Sequence, residues 1–576
     1  MNIDVSKIGY RWKGEYDANS TYAKGDVVRV GTKAQVFTDN NGSKEDFAYG
    51  QDQLTAKNQV LLDQSTPTQG FDGMNLHSKS TGVGTYGAEF RHGRERNGGR
   101  AVALMKTESS DSDYVHPYHM GAIMSDGSLR VWGERQDSAY GFGTYDVNNM
   151  LPTKATFPTD FQYPVKKAWA YYRHTFVLDS NNILWGTGVY WPGWDTGTGT
   201  QESITFRPIS HQSGQAIQEE IVQMDSSYGY YGRMGFMALG ASGKVYAWGS
   251  QSNYRFGLGN NSDWRSPQLI PFTVDHPMRS VHAHNQNYST ASMIDTEGKL
   301  WTAGYSSRNL LDYSTDATQP NFVKFDPWGD DNAKVRHIGK HESDGHWVSG
   351  TQYYFTGAIT LEDGRAYIYG NGLGQVGYGT GPNGWSYSWD IDPRYPFHEG
   401  VRKMTATNGG YGQAVAWMLD GTLEHRGYSN SSPTGSNTSD WNPYASTVSG
   451  YLGPDITNVI DLRNMGGQYG SSQAVLTSDG KMICLGRGGS GFSGTGGYQN
   501  ISGTTSKANN TGIDWVKCPK RIIDFSLHGY TSADTGNGAI HALADDGTTW
   551  TWGWGSNALQ QDDDNENMGV PRRTIF

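Results

Sequence analysis

The sequence predicts an all-β fold, a ring built from one repeated small sheet, and three observations predict it. A turn feeding a short aromatic and β-branched run that closes on glycine, Asp363-Gly364-Arg365-Ala366-Tyr367-Ile368-Tyr369-Gly370, recurs seven more times: Asp126 to Gly133, Asn181 to Gly188, Ser242 to Gly249, Glu297 to Gly304, Asp420 to Gly427, Asp479 to Gly486 and Asp546 to Gly553. The closing glycines lie 55 to 67 residues apart, a period that marks stacked supersecondary units. The strands beside each turn are mostly uncharged on both faces, so each small sheet must be covered on both sides. Radial blades meet that need and leave short, protected edges, which makes a closed β-propeller the expected architecture, with eight blades favoured and seven as the other count.

Taken in order, the first 50 residues read differently from the rest. Gly25-Asp26 turns into a strand at Val27 to Val30, and Gly31-Thr32 separates it from a second strand at Ala34 to Phe37. With Trp12, Tyr16, Tyr22 and Val28, this stretch resembles the short chitin- and cellulose-binding-type module, a form that also recurs near the N-termini of bacteriophage virion proteins. The resemblance implies that Trp12 and Tyr22 stack on sugar rings. Residues 49–114 show no clear period, with Arg91, Arg94, Arg96 and Arg100 set among glycines, and read as a linker or attachment region. The expected domains are therefore 1–48, 49–114 and the propeller at 115–576.

Each repeat begins with an apolar strand ahead of its turn, for example Phe236-Met237-Ala238-Leu239 or Ala474-Val475-Leu476. The central Asp-Gly, Ser-Gly, Glu-Gly or Asn-Asn of the turn suits a hairpin that needs positive φ. After the third element come Phe256-Gly257-Leu258-Gly259 and Gly374-Gln375-Val376-Gly377. These segments and the preceding aromatic runs make the repeats similar to the RCC1-like (regulator of chromosome condensation) propeller. The final Pro571 to Phe576 resembles the outer strand that opens a further repeat, and is expected to complete the first blade.

Composition narrows the function. The formal charge of −11 and a pI near 5.8 disfavour a general nucleic-acid binder, and no stretch of eighteen apolar residues offers a membrane span. Cys484 and Cys518 are read as free thiols. No His-Glu-x-x-His, phosphate loop or nucleophile elbow is present, His116 and His119 lack companions for zinc, and Asp562 to Glu566 lacks the glycine and final glutamate of a calcium loop. Neither catalysis, nor a cofactor, nor a metal is expected.

Binding is assigned to aromatics. Tyrosines precede the second strand of most repeats, among them Tyr172, Tyr230, Tyr231 and Tyr411, while Trp191, Trp194, Trp385 and Trp389 fall in insertions between repeats. Trp132, Trp248 and Trp552 occupy repeat positions and are read as core. The two resemblances together imply a non-enzymatic bacteriophage virion component, such as a head or tail fibre, a capsid decoration or a receptor-binding protein. Its partners would be other virion proteins, a host surface glycan or protein, or a second copy in a homo-oligomer, and its location the virion, assembled in the host cytoplasm. The other reading is an RCC1-like cytosolic protein-interaction scaffold or GTPase exchange factor.

Overall fold

The computed structural model describes strands at 11–15, 26–30, 33–37, 44–46, 75–80 and 86–91. It then describes 100–107, 119–133, 149–171, 173–189, 202–210, 216–229, 233–250, 254–260, 262–284, 290–306, 317–326, 328–339, 356–370, 396–406, 413–427, 438–443, 454–465, 472–486, 514–531, 536–553 and 568–574, with three single positions besides. Two compact units are present, Met1–Gly98 with the last two residues, and Gly99–Thr574. In the first, Arg11–Glu15 pairs parallel with Asp26–Val30, which pairs antiparallel with Lys33–Phe37, and Lys44–Asp46 completes that sheet. A separate hairpin joins Asn75–Ser80 to Tyr86–Arg91.

The second unit is all-β, and among the described residues it holds eight small antiparallel sheets, the blades of a closed eight-bladed propeller. Blade 1 runs Ala101–Leu104, His119–Met124, Leu129–Gly133, Asn149–Lys154. Blade 2 runs Lys167–Tyr171, His174–Leu178, Leu184–Val189, Glu202–Pro208, with Lys106–Thr107 added parallel to its first strand. Blade 3 holds Ile221–Gly229, Arg233–Gly240, Val245–Gly249 and Trp264–Leu269, and blade 4 Met278–Ala283, Thr290–Asp295, Leu300–Ser306 and Ala317–Phe325. Blade 5 has Val335–Gly339, Thr356–Leu361 and Ala366–Gly370, and blade 6 Val401–Ala406, Gln413–Met418, Leu423–Gly427 and Thr438–Pro443. Blade 7 has Val459–Met465, Ser472–Thr477 and Met482–Gly486, and blade 8 Ile522–Thr531, Gly536–Ala544, Thr549–Gly553 and Met568–Arg573.

All eight repeated turns connect second and third strands, and they share one geometry. In blade 1 the Met124 N–H donates to the Ser128 carbonyl at 2.8 Å and the Gly127 N–H to the Met124 carbonyl at 2.9 Å, a type I turn followed by one left-handed residue. The aspartate before the glycine belongs to the turn: Asp126 Oδ1 accepts from the Ser128 N–H at 2.9 Å, as Asp420 does from Thr422 and Asp546 from Thr548. In two of the three turns that lack that aspartate, an earlier one substitutes, while in blade 3 Ser242 Oγ accepts the Lys244 N–H. Asp179 and Asp295 each accept two turn N–H groups and reach the indole of the third strand, Trp185 at 3.0 Å and Trp301 at 2.8 Å.

The turn also joins the blades. In seven of the eight, the carbonyl of the left-handed glycine accepts the N–H that opens the next blade's first strand: Val165 to Gly127, Met278 to Gly243, Val335 to Gly298, Val401 to Gly364, Val459 to Gly421, Ile522 to Gly480 and Ala101 to Gly547, at 2.8 to 3.1 Å. The last of these links blade 8 to blade 1 and closes the ring. The C-terminal strand does not complete the first blade as the sequence suggested. Met568–Arg573 pairs with Thr549–Gly553 inside blade 8, because the inner edge of blade 1 is already taken by Ala101–Leu104.

Seven apolar clusters among the described residues each span two consecutive blades, from the 1–2 junction to the 7–8 junction. Two-sided burial of the third strands follows: Val245, Ala247 and Trp248 are all fully buried, as are Ala366 and Ile368. The junction of blades 8 and 1 carries histidine. His541 meets Trp132 edge-on with centroids 4.9 Å apart, His528 shares a 2.9 Å hydrogen bond with Ser526, and His119 shares one with Thr175 across to blade 2. Burial pushes the pKa of His119 and His541 down to about 3 and that of His528 well below its usual value, helped for His119 by the neighbouring His528 and His174. Cys484 and Cys518 are both free, and both pack at the 7–8 junction, where burial raises their thiol pKa.

Two predictions follow from this construction. Gly547 has φ of +78°, and a Cβ there would sit 2.6 Å from Arg100 Cβ, whereas Gly329 has φ of +62° and open space around it. Gly329→Ala is expected to cost about 1–2 kcal/mol for the left-handed backbone alone, and Gly547→Ala distinctly more, in denaturant titrations. For the histidines, the unfolded chain binds protons near pH 6.5 while the native groups stay neutral to about 3, so their stabilisation is complete above 6.5 and lost as pH falls through that window. The melting temperature should drop below pH 6.5, and His541→Phe should make that drop shallower; an equal slope in the variant would place the acid sensitivity elsewhere.

Candidate functional site

The insertion tryptophans Trp191, Trp194, Trp385 and Trp389 and the loop tyrosines Tyr172, Tyr230, Tyr231 and Tyr411 lie outside the described residues, as does Tyr22. Trp12 is in the strand Arg11–Glu15. In chain order the tyrosines fall between first and second strands of their blades, and Trp191 and Trp194 between the third and fourth strands of blade 2. The repeat tryptophans Trp132, Trp248 and Trp552 are fully buried. Phe256 wedges between blades 3 and 4, so the glycine-rich segment that carries the family likeness is packing.

The polar run Glu424-His425-Arg426 is likewise internal. His425 is buried and its pKa lowered to about 4 by that burial, Glu424 pairs with His398 at 2.9 Å, and the Arg426 guanidinium lies over the Phe397 ring. Among the described residues no group of three or more His, Cys, Asp or Glu could hold a metal ion. His119 is fully buried at a blade junction.

The end of the ring that carries the Asp-Gly turns is well described. Adjacent first strands are tied to one another there, which places them around the axis. Lys167 donates to Glu220 at 2.9 Å and to the Ile221 carbonyl at 3.2 Å. Gln223 donates to the Val281 carbonyl at 2.7 Å and accepts the Val281 N–H at 3.2 Å, while Asp225 accepts the Ala283 N–H at 2.8 Å. Arg279 reaches the Val335 carbonyl, and Arg463 the Phe525 carbonyl together with Asp524 at 2.9 Å.

Each first strand begins with a bulge at this end. In blade 5 Val335 pairs with Leu361 and His337 with Thr360, leaving Arg336 between them without a cross-strand partner position. The equivalent residues are Val102, Lys166, Val222, Arg279, Arg402, Ile460 and Ile523. Arg336 is half-buried and the other seven are exposed. The bulge aims one side chain per blade out of the ladder, so eight side chains form a collar round the mouth of the axis. Sequence reading missed this collar, because its residues share a position and no chemistry; the turn glycine of one blade and the strand that follows were the available signal.

A family model described as the regulator of chromosome condensation (RCC1) repeat matches residues 242–287, which include the third strand and glycine-rich segment of blade 3. The fold is an RCC1-like β-propeller. The ultraviolet-B receptor UVR8 of Arabidopsis thaliana is 24% identical over 242 residues, 41% of this chain and 51% of the relative, so the chain spans about half the length of the curated relative it matches. Solved structures that the chain is similar to include Prp20p of Saccharomyces cerevisiae, reported with its binding properties to Gsp1p and histones (13% identity, 83% and 88% of the two chains, TM-score 0.45). Human WBSCR16 is another (17% identity, 70% and 94%, TM-score 0.43).

These likenesses correct the expected function. The proteins that this RCC1-like propeller resembles are cellular eukaryotic proteins, and the assignment to a virion, with virion proteins or host glycans as partners and assembly in a host cytoplasm, is withdrawn with its head, tail-fibre, decoration and host-attachment forms.

Proposed function

We propose that this chain is an RCC1-like protein-interaction scaffold, a rigid ring that presents side chains to protein partners. The observation that carries the reading is the collar. Eight equivalent positions, seven of them beside a backbone hydrogen bond between blades, display side chains that the fold itself does not require to be identical. Binding groups held on such elements lose little entropy when a partner docks. The loop tyrosines Tyr172, Tyr230, Tyr231 and Tyr411 and the insertion tryptophans Trp191, Trp194, Trp385 and Trp389 belong to the same proposal, as aromatic anchors in segments that follow the first or third strands of their blades in chain order. A few such anchors dominate most interfaces.

The experiment is site-specific photo-cross-linking in cells, with the photoreactive residue at Tyr411 or Trp194 for the aromatic segments and at Ile523 for the collar. Discrete adducts with other proteins are expected from at least one of them; adducts from neither would overturn the scaffold reading. Nucleotide release from purified small GTPases distinguishes the narrower exchange-factor form, which acceleration by the full chain would establish. Simultaneous replacement of Trp191, Trp194, Trp385 and Trp389 by Ala should abolish the adducts of the aromatic segments while leaving the melting temperature nearly unchanged. Trp248→Ala, by contrast, should cost about 3–5 kcal/mol of stability by opening a cavity.

A further inference from the structure

The collar is divided. Its residues on three consecutive blades, 4 to 6, are Arg279, Arg336 and Arg402, and on the next three, 7, 8 and 1, they are Ile460, Ile523 and Val102. The aliphatic three are 48%, 45% and 58% exposed, so an arc of three consecutive blades presents apolar side chains to water where a fold free to choose would place polar residues. The guanidinium groups are held in place by their surroundings. Arg279 pairs with Glu362 at 3.1 Å, Arg336 donates to the Glu362 carbonyl at 2.5 Å, and Arg402 lies over the Trp417 ring at 4.7 Å.

We propose that the mouth of the axis on the turn end is a docking site for an acidic protein segment that also carries aliphatic side chains. The proposal rests on the scaffold reading and names the face and the partner chemistry. Guanidinium forks fit carboxylates bidentately, and three of them stand together on a chain whose net charge is −11. The arc from Ile460 to Val102 supplies the apolar half of the contact, which a phosphate backbone would leave unused. Carboxylates on the surrounding turns, Asp363, Asp420, Asp479 and Asp546, flank the collar and would repel a polyanion long enough to cross the face, whereas a short segment fits inside them. The division also fixes an orientation, acidic side chains towards blades 4 to 6 and aliphatic ones towards blades 7, 8 and 1.

The test uses a random dodecapeptide library selected on the full-length protein. Enriched peptides are expected to combine Asp or Glu with Leu, Ile or Val, and to lose at least about tenfold in affinity in Arg336→Glu/Arg402→Glu and, separately, in Ile460→Asp/Ile523→Asp. Added salt should weaken binding to the wild type more than to the arginine variant. Melting curves confirm that both variants fold; should the aspartate pair not fold, Ile460→Ser/Ile523→Ser replaces it. Peptides that bind both variants as well as the wild type overturn the site while leaving the scaffold reading to the cross-linking result. Tighter, arginine-dependent binding of a single-stranded DNA oligonucleotide overturns it in favour of nucleic acid.

Discussion

The carbonyl of a left-handed glycine in seven of the eight blades, accepting the N–H that opens the next blade, is the contact on which the ring depends. It fixes the spacing between neighbouring sheets at the one end where every blade turns, and it satisfies a strand-initiating donor whose burial without a partner would cost about 1–3 kcal/mol. The glycine is required twice over. Its φ lies where side chains are strained, and at Gly547 a Cβ would occupy the space of Arg100. The aspartate before it holds the turn that presents the carbonyl, so a two-residue signature encodes a turn and an inter-blade joint together.

Once the blades are set at that spacing, the rest of the core follows from covering each sheet twice. Seven junctions do so with aliphatic and aromatic side chains, and the eighth with His119, His528 and His541 around Trp132. That junction differs physically from the others. Its groups must remain neutral to stay buried, which ties ring closure to pH. Closure here joins a strand beginning at Ala101 to the turn at Gly547 directly, with no strand exchanged between the two ends of the chain.

The same bulges that let first strands bend towards the axis release one residue per blade from the ladder, and these residues are free to differ. Blade spacing, strand register and turn geometry are common to the repeats; the collar is where they diverge, arginine on blades 4 to 6 and aliphatic on blades 7, 8 and 1. A scaffold of this kind keeps its partner-specific chemistry at positions that cost the fold little, whereas a change at Phe256 or Trp248 would disturb a junction.

The sequence by itself determined the repeat, its period, the eight hairpins and the two-sided burial that demands a ring, because a turn glycine and an alternating apolar strand are local patterns legible in eight-residue windows. It also determined that Trp132, Trp248 and Trp552 are core and that the two cysteines are free. Only the tertiary structure decided that the C-terminal strand finishes blade 8, that Asp179 and Asp295 stand in for missing turn aspartates, and that Val102, Ile460 and Ile523 hold equivalent positions on consecutive blades. Those facts depend on contacts between residues as much as several hundred positions apart, and ring closure, which brings Ala101 to Gly547, leaves no trace in any single window of the chain.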